Sequence, residues 1–556
     1  MANPKTFDLV VIGAGLHGLV TTKTYRDVHP HASIFVLDKS SSIGGFSDFP
    51  MDTTNFDPEN DHIPGEHVNE YWLGYAKKFD LAKHMRLNTS VKSAVDQGSA
   101  GWLLTVSDET DSTKKEYQIV ATKLVVATGL TSQPSMPKLP GSEAFGAPIY
   151  HSSEFARVEN GLGPYKKIAL LGGAKFSWDI ANAYASAGVQ VEWIIRKSGH
   201  GPCWMMPSRV TPFKIIPERL FLTRVMTWLS PCIWEDGFSY LHNFFSQHWL
   251  GRKISDAVFN QMQQGNLARN GYDTHPETAK LKPWNESFFV GSVRGVLSYK
   301  NDIFELVRSG KIRVHIADIS QLSHHSVHLS TGEVVEADVL ICGTGWKDTP
   351  QLDFQTDKEL GLPGHASPTA QEHIGRADAQ IFQTCPKLQE QPTPRNPELL
   401  ADRTNDLTPQ PYRLYRFMVP PAFLQSRTLA FAGAYRCPAT ATLAQTQALW
   451  ITAFLDNRIP SLRSEQASTK DEIASRAMYE TVLHTQFTRW RYSRSFGARF
   501  PELSFDCLPY VDLLLRDVGV RSQRKATWFR ERFEAYMPTD YVGIIDEYIA
   551  LKEAED

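Results

Sequence analysis

The sequence predicts an α/β fold of two nested parallel-sheet units, the second inserted within the first, followed by a helical tail. Three observations predict it. A short apolar run ending in a glycine-rich turn occurs twice, at 7–12 and again about 160 residues later at 167–171. Each is followed by a helix pattern and a second apolar run, the order of a strand–helix–strand unit. Two further apolar runs, 124–127 (LVVA) and 339–342 (VLIC), each end in a Thr-Gly pair and mark where the chain crosses between units. A length of 556 residues agrees, since single cores stop growing near ~250–300 residues.

In the first unit, FDLVVI is rich in β-branched residues and reads as a buried parallel strand. Residues 17–27 read as a helix and 33–37 as the next strand. Joining the first strand to the helix, Gly13-Ala14-Gly15-Leu16-His17-Gly18 is a complete GxGxxG. Gly13 permits the tight turn, Gly15 lets the backbone approach a pyrophosphate, and Gly18 allows close helix–strand packing. The helix then offers unpaired N–H groups and its positive end to phosphate. Asp38 follows the second strand, 38 − 13 = 25 residues after the first glycine, where a carboxylate accepts both ribose hydroxyls. Gly44 and Gly45 come next and let the backbone pass close to the same ligand. The bland alternative is a glycine-rich turn beside a surface aspartate.

The second unit repeats the plan with altered residues. KIALL (167–171) is the strand, 177–186 the helix and 190–195 the next strand. Gly172-Gly173-Ala174-Lys175-Phe176-Ser177 keeps the first glycine and places Ala174 and Ser177 at the later two positions. Both are small, so a phosphate approach is narrowed rather than closed. The ribose position changes sign: Arg196-Lys197 stands where Asp38 stood. An acid there selects an unphosphorylated ribose, whereas arginine pairs with a 2′-phosphate. The pair of loops therefore reads as FAD at the first site and NADPH at the second, against a solvated basic turn as the plain alternative.

The predicted architecture is two Rossmann-like dinucleotide-binding domains, the NADPH domain inserted in the FAD domain. The divisions are 1–160, first part of the FAD domain; 161–345, the NADPH domain, with an aromatic-rich excursion at 201–300; 346–460, the return to the FAD domain; and 461–556, a helical extension. Irregular helices and loops are expected in the excursion, a surface loop over proline-rich 386–411, and a helix at 440–455. Further helices are expected over 470–555, one of them at 531–548.

Bulk properties narrow the class. Hydrophobic residues make up 42% and charged residues 21%, as in ordinary globular proteins, and a formal charge of −3 gives no general attraction to nucleic acid. Six cysteines show no CxxC spacing, so no metal is predicted and reduced thiols are expected. Residues 1–6 leave no room for a signal peptide before the first strand, which points to the cytoplasm. No apolar run reaches the ~18 residues of a transmembrane helix. Residues 217–234 come nearest and read as buried helix or tunnel wall, with weak membrane-surface association as the second reading.

Taken in order, GAGLHG, Asp38 with Gly44-Gly45, VVATG (125–129), GGAKFS, CGTG (342–345) and FAGAYRCPATATLAQTQALW (431–450) resemble the flavin-containing monooxygenase superfamily, especially its long fungal members. The likeness extends through most of the chain. The family fingerprint FxGxxxHxxx(F/Y) is matched by Phe145, His151 and Phe155, but Ala147 replaces its glycine and Gly146 comes one position early. Phe155-Ala156 also departs from the Trp-Pro ending of typical Baeyer–Villiger members.

The resemblance implies NADPH-driven reduction of FAD, then activation of molecular oxygen as a flavin C4a-(hydro)peroxide. One oxygen atom would enter a bulky organic substrate, with fungal secondary metabolism as the expected setting. It also brings the region 48–72 toward the flavin ring, which makes Asp48 and Asn55 candidate catalytic contacts, and Arg209 a candidate for balancing peroxide or phosphate charge. His151 is implied to be a linker residue that positions or couples the domains, with a satisfied structural histidine as the equal alternative. The aromatics Trp204, Phe213, Phe221, Trp228, Trp234, Phe244, Trp249 and Trp284 would wall a bulky apolar pocket or form an ordinary core. Two other readings share the same loops: an FAD-dependent dehydrogenase or reductase without a stable peroxide, and a non-catalytic flavoprotein scaffold.

Overall fold

The computed structural model describes residues 4–40, 65–110, 115–157, 162–209, 216–363, 367–393, 395–396, 411–463 and 469–555. Strands β1 (Lys5–Ile12), β2 (Ile34–Leu37), β3 (Met85–Arg86), β4 (Thr89–Asp96), β5 (Trp102–Asp108) and β6 (Glu116–Val126) come first. Then follow β7 (Ile149–His151), β8 (Lys167–Leu171), β9 (Gln190–Ile195), β10 (Trp204–Pro207), β11 (Arg294–Leu297) and β12 (Ile312–Ile316). The remainder are β13 (Ile319–Ser323), β14 (Ser326–Leu329), β15 (Val334–Glu336), β16 (Val339–Cys342), β17 (Asp353–Gln355) and β18 (Leu429–Phe431).

Among the described residues, eight strands form one sheet in the order β17-β4-β5-β6-β1-β2-β3, with β18 hydrogen-bonded to β6. Its centre, β1 between β2 and β6, is parallel and deeply buried, as the apolar runs require. A second, wholly parallel sheet runs β12-β9-β8-β16-β7. The doubled motif thus seeds two sheets. In each, the strand before the glycine loop lies between its sequence successor and a strand from farther along the chain. That arrangement opens a crevice at the carboxyl ends of the strands.

The chain leaves the first sheet after β6 and returns after β16, and the two passages lie against each other. Pro134 bridges Trp346 antiparallel, Ser135 N–H donates to Gly345 O (3.0 Å), and Lys347 N–H donates to Gln133 O (2.9 Å). Thr344 Oγ1 adds a bond to Ser135 O at 2.6 Å.

Three expectations need correction. The 201–300 excursion is more regular than its weak periodicity suggested: it holds the parallel pair β10–β11 and a 22-residue helix, Trp249–Asn270. That helix starts where the His248 ring accepts from Leu250 N–H and ends at Gly271, whose φ of +60° ends the turn. A continuous helix over 531–548 is not formed. Trp528–Phe533 ends early, Pro538 begins a 3-10 turn, and Gly543 at φ +83° precedes the last helix, Ile544–Glu555. The antiparallel strands β13 to β15, absent from the reading above, form a small separate sheet. Much of the 386–411 loop lies outside the described residues; Pro386–Gln389 is a 3-10 helix.

The helix Thr440–Leu455 forms as expected and is buried on every side from Thr442 onward, which makes it a core helix rather than an amphipathic one. Residues 217–234 form the short helices Pro217–Phe221 and Arg224–Leu229, packed inside the protein. Among the described residues no helix is long and apolar enough to cross a membrane.

Candidate functional site

At the first loop, Gly13 takes φ +110° and its N–H donates to Leu37 O at 2.7 Å. A Cβ at Gly13 would lie 2.5 Å from Ala127 O, and one at Gly18 would lie 1.8 Å from Gly13 O. Both contacts are with backbone, so nothing soft can yield. The helix Leu16–Val28 begins at Gly15, which is extended (φ −77°, ψ −172°) and supplies no side-chain cap. The first-turn N–H groups are left for a ligand, the arrangement that binds phosphate.

Asp38 follows β2, and its carboxylate is already engaged. Oδ2 accepts from Ala14 N–H at 2.6 Å and Oδ1 from Ser40 N–H at 2.7 Å. Each oxygen keeps a further lone pair. Asp38 therefore ties the strand end to the glycine loop while still able to meet a ribose.

A third segment closes over this loop, part of the FAGAYRCPATATLAQTQALW run that resembles the family's FAD side. After β18, Gly433 has φ +78°, and a Cβ there would lie 2.4 Å from the His17 ring. Tyr435 Oη lies 3.3 Å from His17 Nε2, and the rings meet edge-on. Burial pushes His17 down to about 4, so the ring is neutral near pH 7. Its Nδ1 is buried without a hydrogen-bond partner among the described residues. The FAGAYR segment carried this signal, but only the fold shows that it sits on GAGLHG.

The second loop has the same plan. Gly172 takes φ +135°, its N–H donates to Ile194 O (2.9 Å), and its carbonyl accepts from Trp193 Nε1 (2.6 Å). Ala174 is the extended cap of helix Lys175–Ser186 and adds no side-chain hydrogen bond. Arg196 and Lys197 follow β9 on an exposed turn, the position equivalent to Asp38. Asn396 Nδ2 donates to the carbonyls of Lys197 (2.6 Å) and Gly199 (2.7 Å), which holds that turn. A helix head and a basic turn on adjacent strand ends fit a nicotinamide dinucleotide with a ribose phosphate.

Ser177 is fully buried, and its Oγ has no hydrogen-bond partner among the described residues. It lies between Gly172 of the loop, whose Cβ would be 2.8 Å from that Oγ, and Gly343. A Cβ on Gly343 would lie 2.4 Å from that Oγ. The missing third glycine is thus offset by a glycine 166 residues later, 343 − 177, in the CGTG run. We expect Gly343→Ala to destabilise the protein by about 1–3 kcal/mol through overpacking, and Ser177→Gly in the same chain to recover most of that loss. Thermal unfolding of the two single variants and the double variant measures the coupling; additive losses would show that the two residues do not compensate each other.

His151, buried at the end of β7, clasps the paired passages. Ser153 N–H donates to Nδ1 (3.1 Å), so the ring proton sits on Nε2 and is donated to Gly345 O (2.8 Å). Trp346 packs edge-on against the ring. Both nitrogens are satisfied, which suits a structural clasp.

Gly44, Gly45, Asp48, Asn55 and Phe213 lie outside the described residues. Arg209 is half-buried two residues beyond β10. The aromatics do not form one wall. Trp234 packs in the core against Phe417, Phe487 and Tyr510, Phe221 against Phe505, and Trp228 against Phe238, whereas Trp249 is 59% exposed.

Residues 9–283 match the family model described as flavin-binding monooxygenase-like. The chain is 30% identical to the FAD-dependent monooxygenase resA of Aspergillus sclerotiorum, over 99% of both chains. It is 31% identical to the FAD-dependent monooxygenase rstn6 of Aspergillus nomiae, again over 99% of both. Its fold is similar to that of cyclohexanone monooxygenase in the closed form, with a TM-score of 0.56, 16% identity, and coverage of 94% of this chain and 99% of that one. The polycyclic ketone monooxygenase of Thermothelomyces thermophila gives a TM-score of 0.57 at 13% identity, covering 93% and 88%. The chain belongs to the flavin-binding monooxygenase-like family and is an FAD-dependent oxidoreductase.

Proposed function

We propose that this chain places one oxygen atom of O2 into a bulky organic substrate, with FAD on the Gly13–Gly18 loop and NADPH on the Gly172–Ser177 loop. The observation that carries this reading is the change from Asp38 to Arg196-Lys197 at equivalent strand ends of two sheets joined by one paired connector. FAD, reduced by NADPH, supplies the activation of O2 from which one atom reaches the substrate and the other leaves as water.

In this reading the chain's own residues bind and position. Gly13, Gly15 and Gly18 admit the FAD diphosphate, and Asp38 takes the adjoining ribose. Gly172 and Ala174 admit the second diphosphate, Ser177 packs the helix beneath it, and Arg196 with Lys197 meets the 2′-phosphate. The proposed domain division is the one stated from sequence, with 161–345 carrying the second sheet. Asp48, Asn55 and Arg209 stay as proposed contacts near the reacting centre. The match to fungal monooxygenases and the likeness to a polycyclic ketone monooxygenase support a large substrate of secondary-metabolite type.

Turnover of a substrate panel under ¹⁸O2 with NADPH tests the reaction. The expected product carries one labelled oxygen per molecule; NADPH consumption that yields only hydrogen peroxide with every substrate, or products without label, would refute it. Arg196→Ala tests the cofactor side. Charge-assisted hydrogen bonds contribute about 1.5–3 kcal/mol, so kcat/KM for NADPH should fall roughly 10–100-fold, with NADH use and FAD content unchanged. An unaltered NADPH preference would remove Arg196 from the site.

A further inference from the structure

Two of the six cysteines bring their sulfurs together. Cys437 Sγ lies 3.2 Å from Cys507 Sγ, both as free thiols, although 70 residues separate them. Cys437 lies just before helix Thr440–Leu455, where Ala439 N–H donates to its sulfur at 3.1 Å. Cys507 is the first residue of helix Cys507–Asp517. The sulfurs thus meet where two helices begin.

Their accessibility differs in a useful way. Cys437 is half-exposed, whereas Cys507 and the other four cysteines are buried. Burial raises all five buried thiols, those of Cys203, Cys342 and Cys385 to about 12, which keeps them protonated. Cys437 therefore presents the sulfur an oxidant reaches, and Cys507, shielded like the other four, is held against it at 3.2 Å, where it can act as the resolving thiol. A disulfide bond is ~2.05 Å long, so small side-chain rotations bring the sulfurs together.

We propose that Cys437 and Cys507 are a site of reversible disulfide formation, oxidised by hydrogen peroxide. Cys437 sulfur attacks the peroxide: an S–O bond forms, the O–O bond breaks and one water leaves, giving a sulfenic acid. Cys507 sulfur then attacks Cys437 sulfur: the S–S bond forms, the S–O bond breaks and a second water leaves. Both thiol protons end in the two waters. The sulfurs lose two electrons, which the peroxide gains.

The bond would fasten two parts of the molecule. Cys437 follows Gly433 and Tyr435, the residues that meet His17 on the first glycine loop. Cys507 opens a helix of the carboxyl-terminal tail, already tied to helix Thr440–Leu455 by Gln447 Nε2 to Tyr510 Oη (3.2 Å). Oxidation would make this non-covalent seam covalent. The thiol chemistry holds whether or not the first loop carries FAD.

The test uses the full-length holoprotein, reduced, freed of reductant, exposed to hydrogen peroxide, alkylated and mapped by mass spectrometry under non-reducing conditions. The expected result is one linked peptide pair containing Cys437 and Cys507, two hydrogens lighter, with alkylatable thiols falling from six to four. Dithiothreitol should restore all six. In Cys507→Ser, dimedone should trap Cys437 as sulfenic acid, and no linked peptide should form. Recovery of Cys437 and Cys507 as alkylated thiols, at peroxide doses that oxidise a free cysteine peptide, would overturn the proposal. So would Cys437 passing to sulfinic acid without a bridge in the unsubstituted chain.

Discussion

Gly18→Ala should yield folded protein almost free of flavin. Its Cβ would sit 1.8 Å from Gly13 O, a backbone atom in the turn that carries the loop. Relief requires moving the helix Leu16–Val28 away from β1, which also moves the N–H groups aimed at the diphosphate. Gly13→Ala adds a second penalty, since φ is +110° and its Cβ meets Ala127 O at 2.5 Å. Strained backbone and overpacking each cost about 1–3 kcal/mol, enough to lower FAD affinity on the order of tenfold or more. The ratio of flavin absorbance to protein after gel filtration measures the effect. Gly98→Ala is the control: φ is +65° but nothing lies within 4 Å, so it pays only for the dihedral and should retain its FAD. A Gly18→Ala protein with full flavin would remove the first loop from the binding site.

The second large effect concerns Arg224, which is fully buried yet holds three separate parts of the chain. Its Nε donates to Glu531 at 2.8 Å, its two terminal nitrogens clasp Asp512, and Asp236 lies 3.8 Å away. Tyr536 also donates to Glu531 at 2.6 Å. Removing the guanidinium leaves buried carboxylates without a counter-charge, a loss of about 3–5 kcal/mol. Arg224→Leu should therefore lower the unfolding temperature by roughly 3–4 °C in a chain of 556 residues.

Acid should soften that loss. Burial raises Asp512 to about 6 even beside Arg224, and without the cation it rises further. A carboxyl raised in the folded state adds stability below its unfolded value, and that stability is lost as pH climbs through the folded value. The deficit of Arg224→Leu should therefore be smaller at pH 6 than at pH 8. A deficit independent of pH would show that lost packing, not stranded charge, causes the instability.

The two loops were legible because their chemistry is local: strand, glycines, helix and strand-end charge lie within a few dozen residues. Both strands of the second unit, Lys167–Leu171 and Gln190–Ile195, fall where the apolar runs end. What escaped depends on partners far along the chain. The role of Ser177 is set by Gly343, that of His17 by Gly433 and Tyr435, and that of Arg224 by carboxylates from Asp236 to Glu531. Periodicity also failed at 531–548, where glutamates, aromatics and isoleucines read as helix but Pro538 and Gly543 interrupt it. Aromatics in 201–300 showed apolarity without direction, and the fold sends Trp234 inward and Trp249 outward.

The connector between the two sheets has a mechanical consequence. Because the strand that departs and the strand that returns are bonded side by side at Pro134 and Trp346, with His151 clipped to Gly345, neither bends alone. They act as one ribbon, stiff in the plane of its hydrogen bonds and compliant across it. Bending of the connector is thereby confined to the direction across its plane, and loosening the clip at His151 would free it in other directions.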